Sequence, residues 1–303
     1  MPIEQSNAMK LPDTEATAHE APGSFLAAMV GSRKALLAAC IVGLIATCAI
    51  LSPLVAPYDP NAQSLGGRLM PPLSSSADGL FHLFGTDQLG RDIASRVVYG
   101  ARVSLLVGIA ASLVAGTLGV TLGLVSGYFG GWIDAVIMRM CDVQLALPYI
   151  LLAIAVLVIV GSGLVNIILV LSVTQWVTYA RVVRSGVLSE KEKEYVLAAK
   201  ALGFTSARII ARYILPNVLA PVIVVGTFSI AQTIVAESAL SFLGLGLSTS
   251  IPTWGGMLAD GRNYIVVAWW LAAIPGLVIT ITVIGINLFG DWLRDHLDPK
   301  LAL

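Results

Sequence analysis

Residues 194–217 read EYVLAAKALGFTSARIIARYILPN and stand between two long apolar runs. From Glu194 to Leu202 nearly every residue is small or a good helix former, so the stretch begins as a short helix. Gly203 permits a sharp turn, and Thr205 or Ser206 offers a cap for a second helix. In that helix Ile209, Ile210, Tyr213 and Ile214 form one apolar face, while Arg208 and Arg212, four apart, share another side. Pro216 is expected to end it just before the next apolar run. The product is two short helices pinned at a membrane boundary, with Ala198, Ala199 and Ala201 on show. Such a surface admits a close-packed partner; the alternative is a merely solvated loop.

The composition says what lies on either side. Of 303 residues, 57% are hydrophobic and 12% charged, and the mean hydropathy is +0.86. A soluble domain carries roughly 25% charged residues, so about half the usual water-facing charge is missing, which points to lipid. Net charge is zero, and no basic run suggests nucleic acid. Cys40, Cys48 and Cys141 give no disulfide framework and read as small apolar packing residues. His19, His82 and His296 lie outside the apolar runs, which argues against an intramembrane metal site or a Ser-His pair.

A helix needs about 20 apolar residues to cross a bilayer. Runs of that kind occupy residues 35–55, 103–125, 143–180, 218–247 and 265–289. The third is too long for one crossing and is interrupted by Gly161-Ser162-Gly163, so it reads as two spans joined by a tight turn. The expectation is an all-α integral membrane protein with six transmembrane helices and both termini on one side. Placing the termini inside puts Lys10, Arg33, Lys34, Arg139, every Lys and Arg from Arg181 to Arg212, Arg294 and Lys300 in the cytoplasm. It leaves only Arg68, Arg91, Arg96, Arg102 and Arg262 outside, as the positive-inside rule requires. The quoted stretch then faces the cytoplasm. The LAAC of residues 37–40 resembles a lipoprotein cleavage box, but the apolar run continues well past Cys40, so no cleavage is expected.

Within the second span Gly108, Ser112 and Gly116 recur every four residues, as do Gly119, Gly123 and Gly127. Small residues at that spacing mark faces where another helix approaches closely. Glu237 is the lone charge in the run 218–247. An acid at such depth faces the bundle interior or a wet cavity, so it is either a residue of the translocation path or gate, or a hydrogen-bonding anchor between helices. Pro148, Pro221 and Pro275 are candidate kinks. Ahead of the second span, Thr86 or Asp87 caps a short helix with Ile93 and Val97 on one side and Asp92 and Arg96 on another, suited to lying on the outer membrane surface. Gly85, Asp87, Gly90 and Asp92 are at most a weak hint of a phosphate or metal loop.

The quoted stretch resembles the cytoplasmic coupling loop of ABC-importer permeases, a pattern of Glu-Ala-Ala, three residues, Gly, about nine residues, Ile, one residue and Leu-Pro. Ala198, Ala199, Gly203, Leu215 and Pro216 match it in register. Leu197 stands at the Glu position, with Glu194 as the nearby acid, and Tyr213 replaces the Ile. FGTDQLGRDIASRVVYGARVSL, SGYFGGWIDAVIMRMCD, ALSFLGLG with PTWGGML, GDWLRDHLDPKL and LVAPYDP are similar to the second permease of the dipeptide, oligopeptide and nickel importers. Paired prolines common there after Leu-Gly-Leu-Gly are replaced by Ser248-Thr249-Ser250-Ile251.

The resemblance implies the type I ABC importer permease fold. It divides the chain into a cytoplasmic tail (1–34), a first transmembrane helix (35–55) and a periplasmic loop with an interfacial helix (56–102). A five-helix permease core (103–290) carrying the coupling loop 188–217 and a cytoplasmic tail (291–303) complete it. It implies a multi-pass protein of the bacterial inner membrane with both termini cytoplasmic. It further implies a heterodimer with a second permease, two ATPase subunits that bind the ATP and Mg, and a periplasmic substrate-binding protein. This chain would bind no cofactor or metal and perform no catalysis. Its own sequence agrees, because no Lys follows a Gly and a phosphate-binding loop is absent. Short peptides are the expected cargo, among glutathione, nickel chelates and other solutes. Glu194, Ala198, Ala199, Gly203, Leu215 and Pro216 would couple to the ATPase, with Gly203 needing a small side chain at the turn. A secondary transporter is the rival, but no repeated half with paired broken helices is visible. An intramembrane enzyme lacks a zinc motif, paired Asp residues or a His in the spans.

Overall fold

The computed structural model describes residues 29–297; Lys10, Lys300 and most of the two tails lie outside them. Helix α1 (Arg33–Ile50) begins at Ser32, whose hydroxyl accepts the Ala35 N–H, and a short α2 (Ser52–Val55) follows. A segment containing a two-residue hairpin, β1 (Ser74–Ser75) against β2 (Phe81–His82), leads into α3 (Ile93–Phe129). Then come α4 (Gly131–Leu145), α5 (Tyr149–Val160), α6 (Leu164–Glu190), α7 (Glu194–Ala201) and α8 (Ser206–Ile209). A π turn (Ile210–Ile214), α9 (Leu215–Phe242), α10 (Trp254–Gly261) and α11 (Trp270–Leu297) complete the chain.

The centre of the bundle is the seam between α3 and α6. Gly119 lies so close to α6 that a Cβ there would stand 2.4 Å from the Trp176 carbonyl, and one at Gly123 would stand 2.6 Å from the Ala180 carbonyl. One at Gly127 would meet Val187 at 2.7 Å. Both expected small-residue faces are therefore contact faces, the first turned to α9 at Gly108, which meets Ile230 and Ile234, and to α6 at Gly116, which meets Tyr179. Polar pairs fix the register where lipid supplies no hydrophobic drive: Ser112 with Tyr179 at 2.7 Å, and Gln175 donating to Thr233 at 2.8 Å while accepting from Ser229 at 2.5 Å.

Along the seam, rising numbers in α3 meet rising numbers in α6, so the two helices run parallel. The chain between them must therefore recross the bundle. That crossing is not the straight span expected over residues 143–160. Helix α5 has 12 residues, about 18 Å, too short for a hydrocarbon core of about 30 Å. The crossing is instead a broken one, α4 and α5 bent by 90°. Helix α4 lies against α6, held by Arg184 on Asp134 (2.5 and 2.6 Å), Arg181 on Asp142 (2.5 Å) and Gln144 on the Val173 carbonyl (2.8 Å). Among the described residues five other helices are long and apolar enough to cross. Six alternating passages put Arg33, Phe129, Glu190 and Leu297 at one end, the near end. The hairpin, α10 and the start of α11 lie at the far end.

Two boundaries differ from expectation for one reason each. The interfacial helix before the second span is absent as a separate element. Asp92 caps α3 through the Ser95 N–H at 2.8 Å, and the helix runs unbroken for 37 residues, because the charges at its start are paired and not solvated. The last span begins at Trp270, with residues 265–269 outside the helix, since a 3₁₀ turn (Arg262–Tyr264) and the Trp270 side chain, bonded to the Thr86 carbonyl at 3.3 Å, fix the entry there.

Candidate functional site

The stretch 194–217 forms a braced projection at the near end. Helix α7 carries Glu194 in its first turn and Lys200 in its last, the signs its dipole favours. Val196 and Ala199, three apart, turn inward and pack with Leu124, Val183, Val187, Ile209, Ile214 and Val218. Ala199 is therefore buried, contrary to the expected display of three alanines. The outward face is Leu197 (51% exposed), Ala198, Ala201 and Leu202 (74% exposed), with Glu194 and Lys200 beside it. An exposed apolar face ringed by charge on an otherwise packed loop is of the kind that marks interaction sites.

Gly203 has φ +78 and no atom within 4 Å of a built Cβ. The turn needs its left-handed backbone, not its small size as expected; the Phe204 N–H returns to the Ala199 carbonyl at 3.2 Å, closing α7 as such caps do. Gly203→Ala is expected to destabilise by about 1–2 kcal/mol, and Gly203→Asn by less, since Asn tolerates this region. Thermal unfolding of the purified chain checks the order; equal loss for both would assign the effect to volume. Thr205 holds the cap position of α8 without a side-chain hydrogen bond, and Ser206 is the first helical residue.

Pro216 does not end the second helix. The Leu215 N–H bonds back to Ile210, five residues away, so the backbone widens into a π turn directly before the proline. A proline clashes with the carbonyl four residues before it, and the wider turn relieves that clash. Ser206–Phe242 is consequently one helical run of 37 residues. Leu215 is partly buried against the inner cluster, while Pro216 is exposed.

The base of the projection is closed by a network that composition and periodicity do not announce. Tyr195 donates to Glu190 at the end of α6, and Asn217 at the start of α9 donates to the Tyr195 hydroxyl at 3.2 Å. Lys193 pairs with Glu190 at 2.6 Å and Lys191 donates to the Gly127 carbonyl at 3.0 Å. The Tyr195 phenol is pushed up to about 12, first by its partial burial and then by the Glu190 carboxylate, so it stays a donor. Tyr195 and Asn217 stand near the two ends of the quoted stretch, which is the only sequence clue.

Glu237 lies at the other end of the same helical run, 1% exposed. Ser241 donates to its Oε1 at 2.7 Å; Oε2 makes no hydrogen bond and lies 3.2 Å from where a Cβ of Gly255 would stand. The carboxyl group thus sits beneath the N-terminus of α10. Helix α10 is in turn fixed on α3: Trp254 is fully buried, with its indole N–H on the Val97 carbonyl at 3.0 Å.

Above it, Asp87 lies 2.6 Å from Arg91 and 3.7 Å from Arg96, and Asp260 faces both at 3.5 and 3.9 Å. Arg91 also reaches the Thr249 carbonyl and Arg96 the Pro60 carbonyl. Burial pushes the Asp260 carboxyl up, against the pull of Arg96 and Arg91. The weak phosphate or metal hint dissolves here, because Asp87 is committed to arginines and Asp92 to His82 (2.8 Å) and the α3 cap. Among the described residues no group of His, Cys, Asp and Glu is arranged to hold a metal ion.

Comparison with known proteins adds to this geometry. Residues 119–303 match the family described as binding-protein-dependent transport system inner membrane component, and residues 27–72 match the N-terminal TM domain of oligopeptide transport permease C. The di/tripeptide transport system permease protein DppC of Pseudomonas aeruginosa is 42% identical, over 85% of each chain. The dipeptide transport system permease protein DppC of Bacillus subtilis is 44% identical, over 84% of this chain and 78% of that one. Among solved structures, the inward-facing MetNI methionine ABC transporter aligns with a TM-score of 0.55 at 19% identity, covering 67% of this chain and 96% of that one. That likeness concerns the fold.

Proposed function

Because this chain belongs to the family of binding-protein-dependent transport system inner membrane components, we propose that it is the permease subunit of a peptide importer whose projection 194–217 docks on an ATPase. The observation that carries this is the continuous helical run Ser206–Phe242, which joins the docking face mechanically to Glu237 and α10. The exposed Leu197, Ala198, Ala201 and Leu202 enter the partner's groove, and Glu194 and Lys200 rim it. Glu190, Tyr195 and Asn217 make the projection move with the ends of α6 and α9 and not by itself. The partners are two ATPase subunits carrying ATP and Mg, a second permease, and a periplasmic binding protein that delivers the cargo. The dipeptide relatives support a short peptide as that cargo. The chain supplies a lever and half a channel and performs no covalent chemistry.

The test is purification of the chain from its own membranes, identification of co-purifying subunits, and reconstitution with the binding protein. ATP-driven, vanadate-sensitive uptake of dialanine is expected. A chain that purifies alone and transports on an ion gradient without ATP overturns the reading.

The near end is placed in the cytoplasm, supported by the excess of Lys and Arg there. A cysteine at Asn61, an exposed far-end position, is expected to react with an impermeant thiol reagent in intact spheroplasts; reaction only after permeabilisation reverses the topology. Glu237 is read as the residue that holds α10, and with it the far gate, to α9. Glu237→Ala is expected to lower uptake about tenfold, the loss of one buried hydrogen bond and of the packing beneath α10, and Glu237→Gln less. Unchanged uptake by Glu237→Ala at equal expression sinks that role.

A further inference from the structure

Asn217, Pro221, Val225, Phe228 and Gln232 recur at three- and four-residue intervals and so form one stripe along α9. Below, the stripe lines a groove of about 490 Å³ between α9 and the end of α11, closed on the other side by Arg294 and Leu297. One turn above the groove stands Gln232, exposed, with no hydrogen bond among the described residues. Its polar neighbours at that depth are all satisfied: Thr233 by Gln175 and the Ser229 carbonyl, Thr227 by the Val224 carbonyl, Ser238 by the Ile234 carbonyl. An unpaired carboxamide facing hydrocarbon is costly, so something polar meets it.

We propose that this stripe is the wall of the solute route and that Gln232 hydrogen-bonds the main chain of the passing peptide. The peptide cargo rests on the reading given under Proposed function; the aqueous wall does not. A neutral carboxamide offers donors and an acceptor together, which matches a peptide unit whatever its side chains. Arg294, at the near mouth of the groove, makes no ion pair among the described residues and complements a terminal carboxylate. Asp291 and Asp295 flank it on α11 but do not line the groove. Asn217, the lowest residue of the stripe, is bonded to Tyr195, so the wall's near end is tied to the docking projection.

The test uses the complete transporter in proteoliposomes, with Cys40, Cys48 and Cys141 replaced by Ala and single cysteines at 232, 225 and 223. Ile223 is 49% exposed on a different face of α9. With a charged, water-soluble methanethiosulfonate, Gln232→Cys and Val225→Cys are expected to react at least about tenfold faster than Ile223→Cys, because the reactive thiolate forms in water and not in lipid. Saturating dialanine is expected to slow Gln232→Cys labelling. Gln232→Leu, which removes a polar group from an apolar span and so does not threaten folding, is expected to lower dialanine uptake about tenfold. Reaction of Gln232→Cys no faster than Ile223→Cys assigns the stripe to lipid and overturns the wall. Reaction only after the second permease is removed assigns it to a subunit interface and does the same. Fast labelling in a wild-type complex that takes up no dialanine upholds the wall and defeats the peptide reading instead. Fast labelling untouched by dialanine, with wild-type uptake by Gln232→Leu, upholds the wall and removes Gln232 from peptide contact.

Discussion

Gly119→Leu yields no assembled transporter. A Cβ at this position falls 2.4 Å from the Trp176 carbonyl and 2.5 Å from the Tyr179 Cβ, and neither atom is the tip of a flexible side chain. The whole α3–α6 seam must separate to admit it, breaking the Ser112–Tyr179 bond on the way. Overpacking on that scale costs about 3 kcal/mol or more, a large share of a stability of about 5–15 kcal/mol. Gly43→Leu is the control, because nothing lies within 4 Å of a Cβ there. The measurement is the yield of intact complex by size exclusion after detergent extraction. Equal yields from the two variants would mean the seam is looser than the contacts describe.

Leu202→Glu leaves the chain folded and uncouples it. Leu202 is 74% exposed and outside the inner cluster, so a carboxylate there stays in water in the free chain. In a docked complex the same carboxylate is buried without a counter-charge. Losing a central contact of this kind costs about 2 kcal/mol or more in binding, roughly 30-fold in affinity. ATPase recovery on affinity purification and dialanine uptake are both expected to fall, with the melting temperature of the chain unchanged. Normal recovery and uptake would place the docking surface elsewhere.

The spans were legible in the sequence because apolar runs of the right length have few other uses, and the seam was legible because Gly and Ser at every fourth residue leave room for a helix. Gly203 was legible as a turn, though for its backbone angle and not for its size. What stayed hidden depends on partners far away in the chain. Asp87 is a local partner of Arg91, but nothing local tells that Asp260 completes the cluster around Arg91 and Arg96, which lets α3 begin ten residues before its apolar run. Nothing local tells that α5 needs α4 to complete a crossing, since the charge-free run from 143 to 160 looks sufficient alone. Pro216 as a stop is a sound local expectation that a single widened turn defeats. Ala199 was within reach, because Val196 and Ala199 share the i, i+3 spacing that marks a buried face. For Glu237 the sequence offered a path or an anchor. The structure supplies its surroundings, Ser241 and the start of α10, which are elements nearly adjacent in sequence but invisible as contacts.

The unbroken run Ser206–Phe242 also fixes a ratio. It packs on α3 from Gly226, whose carbonyl accepts from the Ser112 hydroxyl at 3.3 Å, to Ile230 and Ile234, which close on Gly108, and the middle of that contact is a natural fulcrum. From Ile230 the arm toward the projection is about 36 Å and the arm toward Phe242 about 18 Å. With arms of about two to one, a sideways stroke at the near end emerges at the far end roughly halved and reversed in direction. Gearing of that kind trades displacement for force, so in the proposed importer the far opening is smaller than the stroke that drives it.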